Sequence, residues 1–134
     1  NVGRSDAICS ALQLINFYQD LAQDYLEHGR IYLPADEMLL HGVTEDHLRD
    51  QTNDFRMRAL MLSQYQRADR LLRSGAPLGR HLSGPMGLEI RAIVNGGARI
   101  LWKLSRQENV FSRPRLGAAD WAVILRQSLF PLGS

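Results

Sequence analysis

Residues 11–34 read ALQLINFYQDLAQDYLEHGRIYLP. Wound as a helix at roughly 100° per residue, this stretch brings Gln13, Asn16, Asp20 and Asp24 within roughly 80° of one another, as a single polar stripe. Leu12, Leu14, Ile15, Tyr18, Leu21 and Tyr25 put apolar and aromatic surface on more than one side of it. The expectation is a helix packed over most of its circumference, with the polar stripe turned inward. Two carboxylates one turn apart suit a hard cation. Mg²⁺ takes oxygen ligands, keeps several waters, and is commonly held by one or two carboxylates plus substrate phosphates, so Asp20 and Asp24 form a candidate half-site. The plain alternative is the wetted face of an amphipathic helix, and an isolated Asp-x-x-x-Asp does not separate the two. The choice of residues favours the site, because Asp and Asn are weaker helix formers than the Glu and Lys that solubility alone would call for.

Toward the N-terminus, Ser5 or Asp6 can cap a helix that runs to about His28 and is ended by Gly29 and the turn before Pro34. Cys9, between Ile8 and Leu12, is expected to be a packed thiol rather than a nucleophile. As the single cysteine it excludes an internal disulfide and a cysteine-based metal cluster, which fits a reducing, cytoplasmic compartment.

Toward the C-terminus, Ala35 to His41 reads as one or two helical turns closed by Gly42, with Asp36 and Glu37 at the positive end. Thr44 caps the next helix. A second Asp-x-x-x-Asp, Asp46 to Asp50, crowds the first turn of that helix, where acids answer the helix dipole, and is read as solvated. A long helix from about Asn53 to Ser74 carries Phe55, Ala59, Leu62, Tyr65 or Gln66, Asp69 and Leu72, its apolar face broadened by Leu60, Met61 and Leu71. Arg56, Arg58, Arg67, Arg70 and Arg73 are its solvated remainder. After the break at Gly75 to Gly79, a helix from about Pro85 to Gln107 holds Gly96 and Gly97 in its middle, at roughly 1 kcal/mol each against Ala. Close helix packing and room for a bound chain are both open as reasons. His41 and His81 sit beside helix ends without a partner at ligand spacing. Phe111 anchors a connector. A last helix, Ala118 to Leu129, has Trp121, Ile124, Leu125 and Leu129 on one side, and Pro131 ends it. No strand pattern or repeat is present, so the fold is all-α, a helical bundle.

The chain has 134 residues, one domain by size, with sixteen Lys and Arg against fourteen Asp and Glu. All the cations except Lys103 are arginine, which makes phosphate-bearing partners admissible. They are dispersed, with no basic run interleaved with aromatics, so nucleic acid is not an expected partner. No apolar run is long enough to cross a bilayer, and peripheral membrane association is left open.

Asn16-x-x-x-Asp20-x-x-x-Asp24, preceded by Ala11-Leu12-Gln13-Leu14 and followed by Gly29-Arg30-Ile31-Tyr32-Leu33-Pro34, resembles the second aspartate-rich motif of the squalene and phytoene synthase family. Gly96-Gly97-x-Arg99-Ile100-Leu101, Val110-Phe111-x-Arg113-Pro114 and Asp120-Trp121 look similar to the bacterial hydroxysqualene synthase branch, as do Ser5-Asp6-x-Ile8-Cys9 and Ile15-Asn16-Phe17. The resemblance covers most of the chain and is most specific in residues 1–34. One departure is Gln19, where many members carry Arg immediately before the first Asp.

The resemblance implies an isoprenoid synthase-type fold and a Mg²⁺-dependent transferase acting on a prenyl diphosphate. Asp20 and Asp24 would be the catalytic metal ligands. Gln13 and Asn16 would line the diphosphate and metal site, and Arg30 would meet phosphate oxygens. Tyr32, with Phe17, Tyr18 and Tyr25, would be an aromatic neighbour of the substrate. The implied chemistry is Mg²⁺-assisted loss of diphosphate from presqualene diphosphate and capture by water to give hydroxysqualene for hopanoid synthesis. Presqualene diphosphate or phytoene synthesis is the alternative, and a non-catalytic helical interaction module is the rival of another class. The family's first aspartate-rich motif would precede Asn1, which is not a start methionine. Residues 1–134 thus read as a single C-terminal fragment whose partner is the remaining N-terminal part of the same protein, inactive by itself.

Overall fold

A computed structural model describes residues 2–29, 33–114 and 116–129, without the side chains of Ala22, Asp24 and His28. Among the described residues it is helical throughout, with no strand. The helices are α1 (Val2–Gln19), α2 (Leu21–His28), α3 (Ala35–His41), α4 (Glu45–Arg49), α5 (Phe55–Gly75), α6 (Pro77–His81), α7 (Gly84–Arg106) and α8 (Ala118–Leu129). No helix among the described residues is long and apolar enough to cross a membrane.

The principal packing is of α1 along α5, with α7 closing against both and α8 lying on α7. The side of α1 that enters the core is Ile8, Ala11, Ile15 and Tyr18, spaced at helical period. Opposite it stand Leu60, Met61, Tyr65, Ala68 and Leu72 of α5, with Leu101 and Leu104 of α7 completing the cluster. Tyr18 and Tyr65 meet edge to face at 5.4 Å, and the Tyr18 hydroxyl donates to the Gln64 carbonyl at 3.2 Å. Burial pushes the Tyr18 phenol up to about 12. At Gly75 the backbone of α5 comes so near α1 that a Cβ would stand 2.5 Å from the Arg4 carbonyl oxygen. Only a residue without a side chain permits that approach.

The chain stops do what the sequence asks of them. Gly29 and Gly42 both adopt left-handed backbone, at φ 62° and 70°, and close α2 and α3. Asp54 caps α5 by accepting from Met57 N at 2.9 Å. Thr44 precedes α4, its backbone N–H donating to His47 Nδ1 at 3.1 Å. Asp46 and Asp50 are exposed and pair only with Arg49, at 2.6 and 3.5 Å, in agreement with a solvated role.

Several expectations are corrected. The first helix is two helices, because the backbone breaks at Asp20 (φ −106°, ψ 18°) even though Asp20 N still donates to the Asn16 carbonyl at 3.1 Å. The polar stripe is not turned into the core: Gln13 and Asn16 are exposed and Asp20 is half-buried. The apolar row of α1 takes the inner position, since burying amides without partners would cost more than it returned. Cys9 is exposed rather than packed. On α5, Leu60, Met61, Tyr65 and Leu72 are buried as expected, joined by Met57 and Gln64, but Phe55, Ala59 and Leu62 face outward. On α8 the buried row is Asp120, Ile124 and Ser128, leaving Trp121, Leu125 and Leu129 exposed. Arg67 is half-buried rather than solvated, with Nη1 donating to Glu37 Oε2 at 3.0 Å and Nη2 pairing with Oε1. Gln64 adds a bond to Glu37 at 2.9 Å, and these donors hold the Glu37 carboxyl below its ordinary range.

Candidate functional site

An apolar groove of about 470 Å³ runs between α1, α7 and α8. Leu12 and Ile15 form one wall, Ile93 and Ile100 the other, and Leu116 and Trp121 close it from the α8 side. The two glycines of α7 divide their tasks here. A Cβ on Gly97 would come 3.3 Å from Ile15, Leu12 and Leu72, so this glycine serves close packing. A Cβ on Gly96 would meet nothing within 4 Å, so this one leaves space in the groove. Close packing, one of the two reasons foreseen for the pair, thus accounts for Gly97, while Gly96 borders open space.

Asn16 is the polar residue of α1 on this groove, and Asp20 follows it by one turn. One oxygen of Asp20, Oδ1, is buried and accepts no hydrogen bond. Arg113 Nε stands 3.4 Å from it, an ion pair that falls short of good hydrogen-bond geometry. Arg113 is delivered by the connector between α7 and α8, which Val110 and Phe111 pin into the core. Asn53 clasps the same connector, donating to the Glu108 carbonyl at 2.7 Å and accepting from Val110 N at 3.2 Å. Arg113 is the site residue whose role sequence reasoning missed. Its only signal was membership of the Val110-Phe111-x-Arg113-Pro114 run.

The remaining sequence candidates are distributed as follows. Gln13 is exposed and is not on the groove. Asp24 lies in α2 with its side chain outside the described set, and Arg30 and Tyr32 also lie outside the described residues. Tyr18 is committed to the core, while the Tyr25 hydroxyl donates to Glu45 at 2.9 Å, which pushes its pKa above the ordinary phenol value. Phe17 is half-buried. His41 is half-buried at the end of α3, and His81 Nδ1 is 2.7 Å from Arg4 Nη1. Among the described residues, no three His, Cys, Asp or Glu side chains gather to hold a metal. The unbonded Oδ1 of Asp20 is nevertheless the kind of hard oxygen donor that a divalent cation takes, so the residues present fit part of a metal site.

The family model described as Squalene/phytoene synthase matches residues 2–121. The chain is 33% identical to a phytoene synthase of Thermus thermophilus over 91% of this chain and 42% of that protein. It is 28% identical to a hydroxysqualene synthase of Rhodopseudomonas palustris over 89% and 41%, and 26% identical to one of Sinorhizobium fredii over 87% and 40%. The chain thus spans about two fifths of the length of the curated relatives it matches. No solved structure matches it. With the family match extending over nearly the whole helical chain, the protein belongs to the squalene/phytoene synthase family.

Proposed function

We propose that residues 1–134 are the C-terminal portion of a head-to-head prenyl synthase, whose substrate is a prenyl diphosphate and whose remaining part lies earlier in the same protein. The observation that carries this reading is the buried, unbonded Oδ1 of Asp20 beside Arg113, one turn beyond the lip of an apolar groove. An amphiphilic substrate needs that juxtaposition: hydrocarbon in the groove, diphosphate at its charged end. Asp20 and Asp24 would hold Mg²⁺, which when bound supplies Lewis-acid neutralisation of the leaving diphosphate. Arg113 supplies a cation on the protein's side, in the region where Gln19 stands in place of the family's arginine. Asn16 orients the polar head, and Arg30 would meet phosphate oxygens. The apolar walls keep water away from the carbocation left behind.

The reaction we assign is conversion of presqualene diphosphate to hydroxysqualene, by loss of diphosphate, rearrangement of the cyclopropylcarbinyl cation and capture by water. The greater identity to a phytoene synthase favours a second reading, in which the same site yields phytoene. Product analysis of the full-length protein on farnesyl, presqualene and geranylgeranyl diphosphates separates the two. Mg²⁺-dependent binding of inorganic diphosphate by that protein is expected to be abolished in Asp20→Asn and in Asp24→Asn. Binding retained by both variants at the wild-type level would sink the enzyme reading.

A further inference from the structure

On the opposite side of α7 from the groove lies a second cleft, of about 320 Å³, lined by Arg80, Arg91, Asn95 and Gln127 around Ala76, Val94 and Ala98. The seam between α7 and α8 explains why its charge is left over. Arg91, Asn95, Arg99 and Lys103 recur every fourth residue along α7 and face the row Asp120, Ile124 and Ser128 of α8. At one end the charges match, since Arg99 and Lys103 both reach Asp120, at 2.7 and 2.6 Å. At the other end the oxygens that Arg91 meets among the described residues are neutral: its Nε donates to the Ser128 carbonyl at 2.7 Å and its Nη1 to the Gly79 carbonyl at 3.0 Å.

These two bonds fix the guanidinium without neutralising it, and the rest of its five N–H donors bond to no other described residue, so they can serve a ligand. Its stem is clamped as well. A Cβ on Gly79 would lie 2.8 Å from Arg91 Cγ, so α6 rests directly against the side chain. Arg80 adds a second, exposed guanidinium from α6, and Gln127 brings amide donors from α8. No described carboxylate lines the cleft. Acids of α5, α7 and α8 are engaged elsewhere, Asp69 with Arg73 at 2.8 Å and Asp120 with Arg99 and Lys103, while Glu89 faces the groove on the other side of α7.

We propose that the cleft between α6, α7 and α8 binds a phosphate-bearing anion, gripped by Arg91 and Arg80 with Gln127. A phosphate group fits this donor set because guanidinium forks match its oxygens and the two arginines reach it from different helices. The phosphate can belong to a soluble diphosphate or to the headgroup of an anionic lipid, and the test distinguishes these sources.

Binding is measured on the full-length protein carrying Asp20→Asn, in EDTA, so that the metal-dependent site is silent. One arm titrates inorganic diphosphate by calorimetry. The other floats the protein with vesicles of phosphatidylcholine, with or without phosphatidylglycerol. Arg80→Gln and Gln127→Glu are the variants, because both positions are exposed and neither side chain bonds to another described residue. Each is expected to weaken binding about tenfold or more. Diphosphate binding that the variants weaken establishes a soluble ligand. Capture only by phosphatidylglycerol vesicles, weakened in the same way, establishes a lipid headgroup. Absence of binding in both arms, or binding undiminished by either variant, overturns the proposal.

Discussion

The seam between α7 and α8 and the end of α1, one turn beyond the groove, each hold an aspartate partly withdrawn from bulk water, and they treat it differently. Asp120 in the seam accepts from Arg99, Lys103 and the Gly117 backbone N–H, at 2.7, 2.6 and 2.8 Å. Asp20 at the groove has one guanidinium at 3.4 Å and an oxygen with no hydrogen bond. A carboxylate saturated by its own protein is a fastener; one left short of donors in a partly dry place has coordination to spare for a ligand. The contrast marks Asp120 as structural and leaves Asp20 with an oxygen open to a ligand, which is what the proposed function asks of it.

Asp120→Ala should have the largest effect on folding, because it removes the carboxylate that two partly buried cations and an amide N–H share. A fall of several degrees in melting temperature is expected, against little or no change for Asp20→Asn. A flat melting profile for Asp120→Ala would break the comparison. The same contrast can be read in acid. Lys103 first, then the Gly117 N–H and Arg99, hold the Asp120 carboxyl well below the ordinary carboxylate range. Its folded-state ionisation being depressed, its contribution is complete above the unfolded value near 4 and fades as pH falls below that toward the folded one. Glu37 and Asp54 shift in the same direction and add to the acid loss. The wild type is therefore expected to lose stability more steeply below about pH 4 than Asp120→Asn does, as measured by urea unfolding across pH.

Arg113→Gln sharpens the other half. It should leave the melting temperature unchanged, since the side chain is mostly exposed, and weaken Mg²⁺-dependent diphosphate binding by the full-length protein about tenfold. An unaltered affinity would remove Arg113 from the site. The smallest effects belong to the glycines. Gly96→Ala should stabilise by about 1 kcal/mol through helix propensity alone. Gly97→Ala should gain less or lose outright, because Ile15, Leu12 and Leu72 must give way. Denaturant midpoints of the two variants test this, and equal gains would mean that Gly97 is not tightly packed.

Local chemistry explains what was legible beforehand. α3, α5 and α7 were readable to within two residues at each end because their caps, glycines and prolines act within a turn. The all-helical fold and the family followed from pattern and motif. The rotational phase of α5 and α8 was not readable, since Phe55, Leu62, Trp121 and Leu125 are as apolar as the residues that do enter the core. Gln64, Asp120 and Ser128 take buried places because Glu37, Arg99 and Asn95, partners distant in sequence, bond to them, and no periodicity reports such partners. The candidate site was legible only as positions on a helix. That Arg113 would come to stand by Asp20 depends on how a connector threads back over α1, which is a property of the packed chain.

The neighbouring glycines of α7 carry one more consequence. Since Gly97 is locked against α1 and α5 while Gly96 touches nothing, the height of the groove floor is set at one position that the core does not feel. Methyl by methyl, substitution at 96 can shorten the trough as a gauge block shortens a slot, leaving the frame around it untrimmed. Within this fold, the depth of the groove and the sturdiness of the scaffold can therefore be adjusted by separate residues that are adjacent in the chain.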